Sequence, residues 1–430
     1  MTQKIVYHRQ FGQGIVTETR RAGLEYQVRF DDGSVRWIRV DHLESVDNTP
    51  ASLRSTGEPR NRPSSFVRRQ VVEALRLGIV PETGLNLFTI GRDQEIDALK
   101  DWLFQSSVSS QLVIGNYGYG KTHLLNYFRT LALEMGYAVS LVEMDPQESP
   151  FSKPKRVYSQ IVRNLVWLDA GRRCDCRQLI QRGLAQGLLN DHHYFRHMLR
   201  LRPYSEAWEW LEGSSGAIRP TQLDARLAKD LPALYDYSTA ANIYCNLLSG
   251  LGWLCRANGI GLKGLLILFD ESEALYMTGG SIAVDRSVNF VDVLIGTARG
   301  DEELLEHVWR TNLTYARHAY DVPFLYKVPS GLKLLFAFTG RDGLWISREL
   351  MMLPQIDLNP LHLDHYSVMT TKIVDVYKEA YPDHASSIDM EWFWELVERK
   401  RPGNTRAMMK TLIEALDISR FGALDEEDDW

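Results

Sequence analysis

Eight consecutive residues, Gly115, Asn116, Tyr117, Gly118, Tyr119, Gly120, Lys121 and Thr122, have the types and spacing that grip a polyphosphate. Gly115 and Gly120 frame a loop whose backbone N–H groups can turn inward around a β-phosphate, because glycine has no Cβ to obstruct the turn. Lys121 would reach the β- and γ-phosphates, and the Thr122 hydroxyl would hold Mg²⁺. A helix opening at about Lys121 and continuing through His123 to Met135 adds the positive end of its dipole. An apolar strand at 111–115 leads straight into the loop, and the amphipathic helix follows it, which is the setting the motif requires. Binding of ATP through its phosphates is the chemistry these residues predict.

The second half of such a site is an acid at the end of another buried strand. Four apolar residues at 266–269 run into Asp270 and Glu271. Asp270 would accept from the water shell of Mg²⁺, and Glu271 would polarise the attacking water as general base. Thr339 ends a further apolar strand and is followed by Gly340 and Arg341, so it is either a γ-phosphate sensor or a strand terminator. Gly403, Asn404, Thr405 and Arg406 open a helix that continues through Leu412. Asn404 or Thr405 could cap it. Arg406 in the first turn, where the dipole disfavours a cation, would project toward the nucleotide.

These residues need a parallel sheet to hold them. Apolar strands at 111–115, 137–144, 265–269 and 334–338 alternate with helices, which is an α/β pattern with a buried parallel sheet. The ATPase core is expected over 67–357 with a mostly helical insertion at about 155–258, and a helical lid over 358–424. Ahead of the core, residues 1–47 carry short β-branched and aromatic runs. They are punctuated by Gly12, Gly14 and Asp31-Asp32-Gly33-Ser34, which suggests a small SH3-like β-barrel. Residues 48–66 are rich in Pro, Ser and Thr and read as a flexible linker. Arg54, Arg60 and Arg62, with Arg68 and Arg69 beyond, could lie along a phosphate backbone or be incidental.

At 430 residues the chain can hold two or three domains, and 44% hydrophobic with 24% charged residues is ordinary for a globular protein. No run approaches the roughly 20 apolar residues that span a bilayer, and no basic-then-apolar leader opens the chain. A cytoplasmic protein without membrane contact is expected. The net charge of −6 leaves any DNA contact to a local patch. Cys174, Cys176, Cys245 and Cys255 show no zinc-site spacing and read as reduced thiols.

The order of Gly91-Arg92, the phosphate loop, Asp270-Glu271, Thr339 and Arg406 resembles the AAA+ superfamily, nearest its initiator-like clade. That resemblance implies that Ile90, Gly91 and Arg92 contact adenine and that Arg406 is the lid sensor arginine. It also implies a homo-oligomer, ring or filament, in which a neighbour's arginine completes each site. Arg310 and Arg317 lie where such a finger would arise, though either could be an ordinary surface residue. A closer similarity, over most of 67–420, is to the BREX-type phage-defence ATP-binding family of the smaller BrxD-like kind. It is carried by residues 68–78, Met144-Asp145-Pro146 with Pro150, 156–165, 210–213 and 264–271. Residues 11–16, 28–33 and 43–44 resemble the Tudor/SH3-like modules appended to some DNA helicases.

Together these resemblances imply a DNA-associated AAA+ ATPase of bacterial or archaeal phage defence. It would bind duplex DNA, assemble with ATP, and load or regulate a helicase or nuclease partner. The alternative is an ATP-switched signalling or scaffold protein with little turnover. A small-molecule kinase fits less well, for want of an acceptor-binding motif. The end of the chain, 425–430, is acidic and closes on Trp430, so it is either a docking tail or a solubilising one.

Overall fold

The computed structural model describes residues 5–8, 12–20, 25–30, 35–39, 44–45, 64–79, 84–201, 205–213, 241–277, 279–306, 322–388, 390–400 and 404–421. They fall in two units, 1–63 and 64–430. In the first, β1 (Ile5–His8), β2 (Gly12–Arg20), β3 (Glu25–Phe30), β4 (Val35–Arg39) and β5 (Glu44–Ser45) form one antiparallel sheet in the order β4-β3-β2-β1-β5. Val35 pairs with Arg29, so the strands flanking Asp31-Asp32-Gly33-Ser34 close as the hairpin that Asp-Gly predicts. Val28 is fully buried, and a bulge between Val16 and Glu18 bends β2.

The second unit is built on seven strands: β6 (Ser110–Gly115), β7 (Ala138–Glu143), β8 (Val166–Asp169), β9 (Arg172–Asp175), β10 (Leu265–Asp270), β11 (Leu332–Phe338) and β12 (Gln355–Leu358). Their order is β12-β6-β11-β10-β7-β8-β9. The first five of these run parallel, but β8 pairs antiparallel with β7 and β9 antiparallel with β8. The sheet is therefore mixed rather than wholly parallel. Two strands also lie within the segment read as mostly helical. The cause is a tight reversal at Ala170-Gly171, both at positive φ (50° and 82°), that folds the chain back along the sheet edge.

Helices cover both faces. The described ones are α1 (Ser64–Leu77), α2 (Leu85–Phe88), α3 (Asp93–Phe104), α4 (Lys121–Glu134), α5 (Pro154–Asn164), α6 (Cys176–Ala185) and α7 (Phe195–Leu201). Then come α8 (Ser205–Leu211), α9 (Ala241–Arg256), α10 (Ser281–Arg299), α11 (Arg348–Met352), α12 (Leu363–Ala380), α13 (Met390–Lys400) and α14 (Thr405–Phe421). Alternation along the buried strands assigns the faces. Leu265, Ile267 and Phe269 join a core with α5, α9 and α10, whereas Leu266 and Leu268 join one with α3 and α4.

A third core unites α1 with α12 and α14, through Val71, Val72 and Leu75 against Ile373, Tyr377, Met408 and Leu412. The opening helix thus packs with the C-terminal helices, more than 280 residues later in the chain, as in the Arg68–Glu379 pair, whose separation is 311. Polar pairs fix the arrangement. Arg76 grips Asp417 through Nε and Nη2 at 2.8 and 2.9 Å, and Asp417 also accepts from the Tyr377 hydroxyl at 2.7 Å. Arg68 donates to Glu379 and Arg69 to the Ala380 carbonyl, so these two arginines of the expected basic strap are engaged within the fold. Arg54, Arg60, Arg62 and the acidic end at 425–430 lie outside the described residues. Among the described residues no helix is long and apolar enough to cross a membrane.

Candidate functional site

The parallel strands deliver all their C-terminal ends to one edge of the sheet, where ligands of open α/β sheets collect. Strand β11 lies between β6 and β10. Thr339, which follows β11, therefore stands between the loop after β6 and the carboxylates at the end of β10. One cleft at this edge is lined by Tyr117 through His123, Asp270, Glu271, Thr339 and Arg406, with Ile90 and Arg92 on its flank.

The loop's glycines have specific reasons to be glycine. Gly118 (φ 81°) and Gly120 (φ 96°) adopt left-handed backbone, and a Cβ on Gly118 would fall 2.5 Å from the Asn404 side chain. Gly115 is buried behind the loop, where a Cβ would fall 2.8 Å from that of Leu358 on β12. Lys121 is buried at the start of α4, and its Nζ donates to the Gly115 carbonyl at 2.8 Å and meets that of Asn116 at 3.4 Å. Burial pulls its pKa down, against the pull of Glu273, Asp270 and Glu271. This ammonium is a buried cation surrounded by acceptors, suited to a phosphate oxygen.

Asp270 is 4% exposed and accepts the Glu271 N–H at 3.0 Å. Burial raises its pKa, while a hydrogen bond from the Thr122 hydroxyl works the other way. Thr122 and Asp270 thus present two hard oxygen donors side by side, a set that fits Mg²⁺ shared with phosphate oxygens. Glu271 occupies left-handed backbone (φ 52°), which costs a non-glycine residue about 1–2 kcal/mol. Its carboxyl pKa is raised by burial first and then by the charges of Asp270, Glu143 and Glu273. A carboxylate shifted upward in this way is a better proton acceptor than a free one.

Arg406 reaches the cleft from the first turn of α14. Asn404 caps that helix, its Oδ1 accepting the Ala407 N–H at 2.9 Å. The Arg406 guanidinium lies 4.9 Å from the ring centroid of Tyr117 and donates to its hydroxyl. Arg341, two residues beyond Thr339, instead pairs with Asp357 on β12, its Nη2 donating to both carboxylate oxygens at 2.8 Å.

Arg92 is buried and donates to the Tyr119 carbonyl at 2.8 Å and to Glu95 at 2.9 Å, so it buttresses the loop. His123 Nε2 meets the Thr89 hydroxyl at 2.8 Å, and that hydroxyl donates to the Leu85 carbonyl. The imidazole therefore donates from Nε2, and burial together with Arg92 holds its pKa down to about 4. Gly91 (φ 63°) does not line the cleft; it lets the chain pass His365, whose ring a Cβ would meet at 2.5 Å.

Several lining residues were not singled out from the sequence as parts of a site. Glu273 projects into the cleft and accepts the Thr339 N–H. The apolar end is walled by Leu75 of the opening helix, by Gly78 and Ile79 just beyond it, and by Leu361, Met369 and Met409 from the C-terminal part. An apolar compartment joined to a polar one matches a purine joined to phosphates. Arg310 and Arg317 lie outside the described residues. The four cysteines are buried free thiols away from the cleft lining, and burial pushes Cys176 well above its ordinary value.

No curated protein matches the chain. Residues 64–184 match the family model described as BREX system ATP-binding protein BrxC/D. That segment holds the opening helix, the Ile90–Arg92 flank and the whole phosphate loop. Over that segment, the chain is similar to the BREX system ATP-binding protein BrxC/D family.

Proposed function

We propose that this chain is a AAA+ ATPase of BREX-type phage defence, associated with duplex DNA, that assembles with ATP and loads or regulates a helicase or nuclease partner. The observation that carries the reading is the convergence of Lys121, Thr122, Asp270, Glu271, Thr339 and Arg406 on one cleft from four separate stretches of chain. Adenine would occupy the apolar end between Ile79, Ile90 and Met369, and the phosphates would lie along the loop. Mg²⁺, held through Thr122 and Asp270, would neutralise charge between the β- and γ-oxygens.

Glu271 takes a proton from the attacking water as the water oxygen bonds to the γ-phosphorus. The bond from that phosphorus to the β-γ bridging oxygen breaks, and ADP and phosphate leave. Thr339 orients the water or the γ-phosphate, and Arg406 and Lys121 offset the charge on the transferring group. Arg310 or Arg317 of a neighbouring subunit would complete the site. The five-stranded unit at the N-terminus supports a Tudor/SH3-like module that touches DNA or the partner. The test is light scattering with a non-hydrolysable ATP analogue, with and without duplex DNA, beside ATPase assays. Growth of an oligomer with analogue and stimulation by DNA are expected. A monomer under all conditions with DNA-independent activity would remove the assembly and DNA parts of the reading.

A further inference from the structure

The cleft contains one aromatic that packing does not explain. Tyr117 sits in the phosphate loop and is 65% exposed, so burial gives no reason for a large ring there. Its neighbour in space is Arg406, whose guanidinium lies over the ring and donates to the hydroxyl. The next loop residue, Gly118, makes way for Asn404, the cap of the same helix. On its other side the stem of Arg406 runs past Gly78 (φ 69°), where a Cβ would fall 3.3 Å from the arginine Cγ. The arginine is thus held between the opening helix and the phosphate loop.

Left alone, an arginine in the first turn of a helix sits against the positive dipole end and samples many rotamers. The ring face attracts the guanidinium, and the hydroxyl accepts one N–H, which together fix its plane. Arg406 lines the same cleft as Lys121 and Thr339. A planar fork held in this way is shaped for two oxygens of one phosphate.

We propose that Tyr117 is the positioning residue for Arg406, holding it where the terminal phosphate of ATP arrives, so that the pair sets the preference for ATP over ADP. This rests on the reading of the cleft as an ATP site. A tyrosine in the loop thereby couples lid position to the number of phosphates bound. ADP, one phosphate shorter, leaves the fork on Tyr117.

Isothermal titration calorimetry of the full chain with a non-hydrolysable ATP analogue and with ADP provides the test. Tyr117→Ala is expected to reduce the ATP-over-ADP preference about tenfold while leaving ADP affinity within about twofold. Tyr117→Phe, which keeps the ring face but loses the hydroxyl, should recover part of that loss. Arg406→Ala should lose the same preference, and the double variant should be no worse than either single one, as expected of residues acting as a unit. Undiminished preference in Tyr117→Ala would overturn the proposal and leave the ATP reading standing. So would equal loss for both nucleotides, or single losses that multiply in the double variant. A wild-type chain that binds neither nucleotide would overturn both.

Discussion

Glu273 Oε2 accepts a 3.1 Å hydrogen bond from the backbone N–H of Thr339, joining the turn after β10 to the end of β11. The two strands are neighbours, but their ends carry different tasks: Glu271 is the base candidate and Thr339 the sensor candidate. Ser272–Leu275 form a short helical turn that returns the Glu273 side chain into the cleft. The bond therefore fixes the sensor relative to the base. Its charge also bears on Lys121 more strongly than that of Asp270 or Glu271.

Glu273→Ala is accordingly expected to lower kcat about 10–100-fold with a smaller change in KM, since misplacement by about an ångström has costs of this order. Glu273→Gln keeps an acceptor for the Thr339 N–H and should stay within about threefold of wild type if position is the main effect. Steady-state ATPase kinetics of the two variants decide this. Equal loss in both would assign the role to the charge.

The opening helix contributes a wall of the cleft and a seat for the C-terminal helices. Gly78 stands in left-handed backbone with Lys410 Cε 2.5 Å and Arg406 Cγ 3.3 Å from where a Cβ would be. Gly78→Ala should cost at least about 1 kcal/mol of stability through backbone strain. It should also weaken ATP binding by displacing α14. Thermal denaturation with and without ATP separates the two effects, and an unchanged ATP-induced shift would limit the role of Gly78 to folding.

Much of this site was legible in the sequence, because its parts are local. The phosphate loop needs consecutive residues, and Asp270-Glu271 end an unbroken apolar strand. Strands β6, β7, β10 and β11 each carry a run of apolar residues, and those runs mark them. Strands β8, β9 and β12 escaped, being only four residues long; β9 exposes Arg172 and Arg173, and β12 alternates Gln355 and Asp357 with Ile356. The seat of α1 against α12 and α14 was not legible either, since Arg76 and Asp417 are 341 residues apart. Glu273 stands two residues beyond Glu271, but only the short helical turn brings it to face Thr339.

One stability effect depends on pH. Asp292 on α10 accepts from the Ser347 hydroxyl at 2.5 Å, and burial pushes its carboxyl up to about 6. Between its ordinary value near 4 and about 6, the folded chain holds a proton at this site that the unfolded chain releases. Its contribution to stability is thus full below about pH 4 and is lost as pH rises through about 6. Asp292→Asn keeps an acceptor for Ser347 and removes the titration. The variant should match wild type near pH 4 and exceed it by about 1 kcal/mol above pH 6, a figure discounted for partial solvent exposure. Denaturant unfolding at pH 4, 6 and 7.5 checks the slope.

On the proposed function, this cleft binds ATP and turns it over, with Glu271 as the base. Binding and turnover of Glu271→Gln, measured beside wild type on the full chain, test it most directly. Predicted is an ATP affinity within about threefold of wild type and a turnover at least about 100-fold lower, the scale of losing a general base. Turnover in Glu271→Gln equal to that of wild type would rule out Glu271 as the base.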